Sequence, residues 1–197
     1  MRIGFITDLT EDDFRFASEH GFPCVEHISF GDVDVVSRRD DIRRLMRTYG
    51  VDFSMLGLFV QNYVSDDKAA AEESFRQARA LIDLCEAIGA PLMVTCAGES
   101  EGRPLEENAR RSVEAFGKLI DYGKPRGVDI ALYNCHITNF AYAPSAWDLI
   151  LPELPDLGLK YDPSHALYDG RDYLAEARDW GARITHRSEE RRVGKEC

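Results

Sequence analysis

The chain predicts an α/β fold built on a parallel sheet, and three observations carry that expectation. Short apolar runs alternate with longer amphipathic stretches along most of the 197 residues. The apolar runs are continuous rather than alternating, as in strands covered on both faces. Polar residues that can do chemistry gather where those runs stop. Two architectures satisfy these observations, an open doubly wound sheet and a (β/α)₈ barrel. No GxGxxG or GxxxxGK(S/T) follows any apolar run, which removes the strongest argument for a nucleotide-binding open sheet.

Taken in order, RIGFIT (2–7) reads as the first strand and DDFRFASEHG (12–21) as a helix closed by glycine. CVEHISF (24–30) is the second strand. In SRRDDIRRLMRTYG (37–50), Ser37 is placed to cap the helix and Gly50 to stop it. VDFSMLGLF (51–59) is apolar again. Residues 66–89 are the clearest helix, with Ser65 as its cap and Asp66 and Asp67 at the positive end of its dipole. Phe75, Ala78, Leu81, Ile82, Cys85 and Ile88 recur at spacings of three and four, so one stripe faces a core.

PLMVTCAG (91–98) is the fourth strand. Pro104 opens a helix whose buried stripe is Val113, Phe116, Leu119 and Ile120. VDIALYNCH (128–136), helix SAWDLIL (145–151), LGLKYD (157–162), helix DYLAEARDWG (172–181) and RITH (183–186) complete an expected total of seven strands and six helices. No linker, repeat or low-complexity tract interrupts residues 1–186.

Composition narrows the function classes. The formal charge of −11 argues against nucleic acid, whose binders present a basic stripe to the phosphates. Basic residues here are interspersed with acids, as in RRDDIRRLMR (38–47), a solvated helix face. No apolar run approaches a membrane span, and the acidic N-terminal stretch lacks a signal-peptide layout, so a cytoplasmic location is expected. Cys24, Cys85, Cys96, Cys135 and Cys197 form no CxxC pair and read as buried, reduced thiols.

The expected strand ends carry Asp8, Glu26 and His27, Gln61 and Asn62, Glu99, then Tyr133, Asn134 and His136, then Asp162 and His165, and finally His186. Asp8 and Asn62 read as cap or turn residues, and Glu99 as part of a polar loop. Asp162 and His165 ask for more. A carboxylate closing a buried strand needs a partner, because an unpaired buried charge is costly. Carboxylate oxygen and imidazole nitrogen together suit a divalent cation. From spacing alone two readings stay open: metal or substrate contact, or a turn capped by Asp162 beside a histidine in a polar pocket.

These residues resemble the xylose isomerase-like barrel superfamily, the sugar phosphate isomerase/epimerase group that also includes endonuclease IV-type enzymes. The resemblance rests on GFPCVEHISF, IALYNCHITNFAYAPSAWDLIL, GLKYDPSHALYDGRDYLAE and RITH, and it spans residues 1 to about 186. It implies a (β/α)₈ TIM barrel with a divalent metal (Mn, Mg, Co or Zn) at its C-terminal mouth. The implied ligands are a Glu ending strand 5, an Asp ending strand 6, a His on strand 7 and a Glu on strand 8. Asp162 matches the strand 6 ligand, and His165 the companion histidine that acts on substrate or joins a multinuclear site. Glu26 matches a strand 2 glutamate and is carried with His165 as a catalytic candidate. Tyr133, Asn134, His136 and His186 are carried as substrate-binding candidates.

Two positions depart from the family pattern. Tyr133 stands where Glu is usual, and a phenol is a poor carboxylate substitute at neutral pH. Ser188 stands where the strand 7 metal histidine should fall. From Arg187 onward RSEERRVGKEC loses all apolar period, so residues 187–197 are expected to be a non-native tail. The barrel is then incomplete, with about seven strands and no strand 8, and the polypeptide as it stands is expected to be inactive.

The activity the resemblance implies is metal-dependent isomerisation or epimerisation of a small sugar or sugar phosphate. The alternatives are an endonuclease IV-like phosphodiesterase and a non-catalytic sugar-binding barrel. Neither nucleic acid nor membrane is an expected partner, and homo-oligomerisation is left open.

Overall fold

The computed structural model describes residues 2–31 and 33–188. Six parallel strands form one sheet in strict sequence order: β1 (Cys24–Phe30), β2 (Asp52–Phe59), β3 (Leu92–Thr95), β4 (Asp129–Tyr133), β5 (Leu157–Tyr161) and β6 (Ile184–Arg187). Neighbours in sequence are neighbours in space, each connected through a helical crossover, as in a barrel wound one way round. The crossovers and the preceding helix are α1 (Glu11–Glu19), α2 (Arg39–Tyr49), α3 (Lys68–Ile88), α4 (Leu105–Gly123), α5 (Pro144–Ile150), α6 (Pro163–Tyr168) and α7 (Tyr173–Asp179).

The expected first strand is reduced to a single bridge. Ile6 pairs with Glu26 through Thr7 N–H to Glu26 C=O (2.8 Å) and Glu26 N–H to Phe5 C=O (2.9 Å). Ile3 and Ile6 stay exposed. A strand gains stability from partners on both sides and from covered faces, and this segment has a ladder on one side only.

The helix ends follow local chemistry, with two changes from expectation. Gly50 and Gly89 close α2 and α3 in the left-handed region (φ 66° and 75°). Asp67, not Ser65, caps α3, accepting from Ala69 and Ala70 N–H. Ser37 lies inside a short 3-10 turn (Asp34–Arg38) and its hydroxyl donates to Asp34 C=O, so it does not cap α2. Asp162 and Pro163 start α6, a six-residue helix absent from the sequence reading.

The sheet separates two cores. Its outer face packs on the helices through Phe14, Phe53, Leu81, Phe116 and Trp147, all fully buried. Its inner face carries Met55, Phe59, Leu92, Val94, Cys96, Ala131, Tyr133 and Cys135, with Ile28 against them. A register shift, Val25 opposite Phe53 but Glu26 opposite Met55, brings Glu26 into line with the inward-facing Met55. His186 Nε2 on β6 then lies 2.6 Å from Glu26 Oε2 on β1. Side chains of the sheet's two end strands thus meet across the lumen, so the sheet is curled into an incomplete barrel. Cys24, Cys85, Cys96 and Cys135 are buried and form no disulfide among the described residues; Cys197 lies outside the described residues.

Candidate active site at the barrel mouth

The C-terminal ends of the strands define one end of the barrel, and the backbone is most constrained there. The three described non-glycine residues with positive φ are Leu9 (62°), Val60 (66°) and Thr138 (48°). They follow the bridging segment, β2 and β4 respectively, all on the loops of this end. Such conformations persist where the surroundings over-determine them, as at binding sites.

Four of the expected residues converge at the ends of β4 and β5. Tyr133 Oη lies 3.3 Å from Asp162 Oδ2 and 3.1 Å from His165 Nε2. His165 Nδ1 lies 2.9 Å from His136 Nδ1. The carboxylate can only accept, and that fixes the direction of the chain. Tyr133 O–H donates to Asp162, His165 Nε2–H donates to Tyr133, and His136 Nδ1–H donates to His165 Nδ1. The His136 ring stacks on Tyr168, 4.8 Å between centroids and 3° from parallel.

Local structure holds this chain in place. Asp162 Oδ1 accepts from Ser164 N–H and caps α6, so the carboxylate has one oxygen anchored and one turned to Tyr133. Asn134 spends its side chain on the Asp162 backbone, accepting from its N–H (2.8 Å) and donating to its C=O (2.9 Å). Asn139 donates to Tyr133 and Cys135 C=O and accepts from Ala97 N–H, tying the loop after β4 to the end of β3.

Burial shapes the acid–base properties. It pushes the Tyr133 phenol well above its ordinary range, and the Asp162 charge pushes the same way. It pulls His165 below the usual histidine value; Asp162 opposes that, while His136 and Lys160 reinforce it. Both groups are therefore neutral near pH 7, in agreement with the hydrogen-bond directions.

Glu26 and His186 form a second pair on the inner face, and the carboxylate again makes His186 Nε2 the donor. Between the two pairs sits Lys160, which the sequence reading passed over inside an apolar run. It is 1% exposed, opposes Tyr133 on one side and His186 on the other in the ladders, and points its Nζ at the Tyr133 ring, 4.1 Å from the centroid. A lysine two residues before a strand-end aspartate shares that aspartate's face of the sheet; this was the available signal.

The remaining strand-end residues lie outside this network. Asp8 is exposed and its backbone N–H is held by Asp13. Gln61 bonds Gln77 and Phe59 C=O, Asn62 reaches Glu99 C=O, and Glu99 itself is exposed.

The donor set does not fit the divalent cation implied by the resemblance. Tyr133, a neutral phenol, stands where the resemblance implies a carboxylate ligand, and Asp162 is the one implied ligand that the ends of β4 and β5 supply. Among the described residues no three His, Cys, Asp or Glu side chains cluster to hold a metal.

Six parallel strands curled into an incomplete barrel define an α/β protein of the TIM-barrel class. Residues 14–187 match the family described as xylose isomerase-like TIM barrel, and the chain belongs to it. No curated protein matches the sequence. Solved structures share the fold. A Methylomonas sp. D-allulose 3-epimerase in complex with D-allulose is 20% identical, with a TM-score of 0.76 over 95% of this chain and 72% of that one. An E. coli 3-keto-D-glucoside 4-epimerase gives 14%, 0.78, 97% and 79%. A probable 3-DHS dehydratase from Bacillus anthracis gives 17%, 0.72, 95% and 72%. The dehydratase in this set means that the fold leaves the reaction to be argued from the site.

Proposed function

We propose that the protein is a sugar or sugar-phosphate isomerase/epimerase, acting in the cytosol on an open-chain ketose. The observation that carries this reading is the Asp162–Tyr133–His165–His136 chain, at the mouth of a barrel whose solved neighbours include sugar epimerases. In such a reaction a base removes the proton from the carbon beside the carbonyl. The electron pair moves onto the carbonyl oxygen as an enediolate, and the proton returns to the opposite face or to the adjacent carbon. His165, neutral through burial, and the Glu26 carboxylate are the proton carriers of this reading. Asn134 and Asn139 hold the ends of β4 and β5 beside His165. Tyr133, His136 and His186 face the substrate. The divalent cation implied by the resemblance has no step in this reading, because Tyr133 stands in place of one of its carboxylate ligands.

The test is solvent exchange. The protein, expressed from its uninterrupted gene, is incubated in D2O with D-allulose, D-fructose, D-tagatose and their phosphates, and proton NMR follows the carbon beside the carbonyl. Deuterium incorporation there is expected for at least one of them. Sugar binding without exchange would replace the enzyme by the sugar-binding barrel that Tyr133, in place of a carboxylate, also suits.

A further inference from the structure

An ammonium buried inside a barrel costs free energy, and an apolar side chain of the same length would pack there without it. Lys160 nevertheless occupies the inner face of β5, 1% exposed. Its Nζ lies over the stacked Tyr133 and Phe59 rings, 4.1 and 5.8 Å from their centroids. Two carboxylates, Glu26 and Asp162, act electrostatically on it and oppose the downward pull of burial on its pKa. The outer hydrophobic core is assembled without this side chain. The lysine is thus a buried cation on the substrate side of the sheet, in register with Tyr133 and His186 and one inward step below Asp162.

We infer that Lys160 supplies the positive charge of this site, so that the enediolate is stabilised by a protein ammonium where the family pattern would use a divalent cation. This rests on the isomerase/epimerase reading. The charge that develops in the reaction is negative and sits on one oxygen. A fixed cation in a water-poor lumen acts on it more strongly than in bulk water, with no reorganisation at the moment of reaction. Among the described residues the Lys160 ammonium contacts the Tyr133 and Phe59 rings rather than a carboxylate, in contrast to Glu26, which is occupied by His186, so its charge is available to a ligand.

The experiment uses the protein from its uninterrupted gene, and the sugar that exchanges fastest in D2O. Turnover is measured after EDTA dialysis, with metal content by elemental analysis, and again with 1 mM Mn²⁺, Co²⁺ or Zn²⁺. The expected result is unchanged turnover in metal-free protein. Lys160→Met should lower kcat at least 100-fold, the scale of losing one preorganised charge-stabilising group, with KM within about threefold and no recovery on adding metal. Lys160→Arg, which keeps the charge, should retain more of kcat than Lys160→Met. Turnover abolished by EDTA and restored by metal overturns the inference and leaves the isomerase reading standing. So does a Lys160→Met protein that keeps more than a tenth of wild-type kcat. If Lys160→Met does not fold, the EDTA arm alone decides: metal-independent turnover supports the inference and metal-dependent turnover ends it. No exchange of any sugar by wild type removes the isomerase reading and this inference together.

Discussion

The two faces of the sheet are built to different rules. On the outer face, Trp147 packs edge-on against Tyr161 and Trp180, its indole N–H donates to Ala141 C=O, and the buried carboxylate of Glu176 accepts from the Tyr161 hydroxyl and is ion-paired with Arg171. On the inner face, Glu26, Lys160, Asp162 and His186 interrupt the apolar surface, each with a partner from a different strand or loop. The outer face has the composition of a stabilising core. The inner face accepts a buried ammonium over aromatic rings, which stability alone does not favour, and this is the arrangement the proposed chemistry would use. Substitutions on the two faces should therefore separate stability from activity.

The largest expected effect lies on the outer face. Trp147→Ala removes a fully buried indole and its hydrogen bond, and should cost about 3–5 kcal/mol. Urea denaturation followed by circular dichroism reads this directly. A loss below about 1 kcal/mol would mean that the helix layer is not the stabilising core.

Next comes the strand contact that closes the lumen. A Cβ on Gly158 would lie 2.4 Å from Thr185 Oγ1, so Gly158→Ala must push β6 away from β5. Overpacking of this kind costs about 1–3 kcal/mol. Because β6 carries His186, the same substitution should also loosen its bond to Glu26, seen as a shifted His186 ring resonance in NMR. An unmoved resonance would break the link drawn here between sheet curvature and the site.

Tyr133→Phe sharpens the comparison from the other side. It keeps the ring that stacks on Phe59 at 4.6 Å and faces Lys160, and removes only the hydroxyl joining Asp162 to His165. Stability should fall by about 1 kcal/mol, as for a single buried hydrogen bond. Deuterium exchange into the sugar should fall by about 100-fold, within the range of acid–base contributions. Equal losses in the two assays would place Tyr133 in the stabilising class.

The fold was legible because burial on both faces leaves a continuous apolar signature. All six strands of the sheet fall within a few residues of the runs read from the sequence, as LGLKYD does for Leu157–Tyr161. RIGFIT has the same texture and forms only the Ile6 bridge, because composition reports affinity for a sheet and not the number of partners. Helix α6 was missed since six residues hold no period, although Asp162 and Pro163 supply a cap and a first-turn proline. Within the site, Asp162 and His165 stood out because they are close in sequence. The Glu26–His186 contact spans 160 residues, and only the curl of the sheet creates it. Lys160 hid inside an apolar run until the register showed which way it faces.

The smallest effect concerns pH, and it distinguishes the neutral His165 of the network from an ion-paired one. Burial holds its folded-state pKa below the ordinary value of 6.5. Between those two values the unfolded chain binds a proton that the native protein does not. Stability therefore rises with pH through that window. It is fully present above about 6.5, and is lost as pH falls toward the folded-state pKa. His165→Gln removes this contribution, so the difference in urea midpoint between wild type and variant should shrink as the pH is lowered from 7 to 4. An ion-paired histidine would give the opposite sign, with wild type gaining on the variant as pH falls. That outcome would reverse the hydrogen bond between His136 and His165 while leaving the one to Tyr133 as it is, because a protonated His165 donates from both nitrogens.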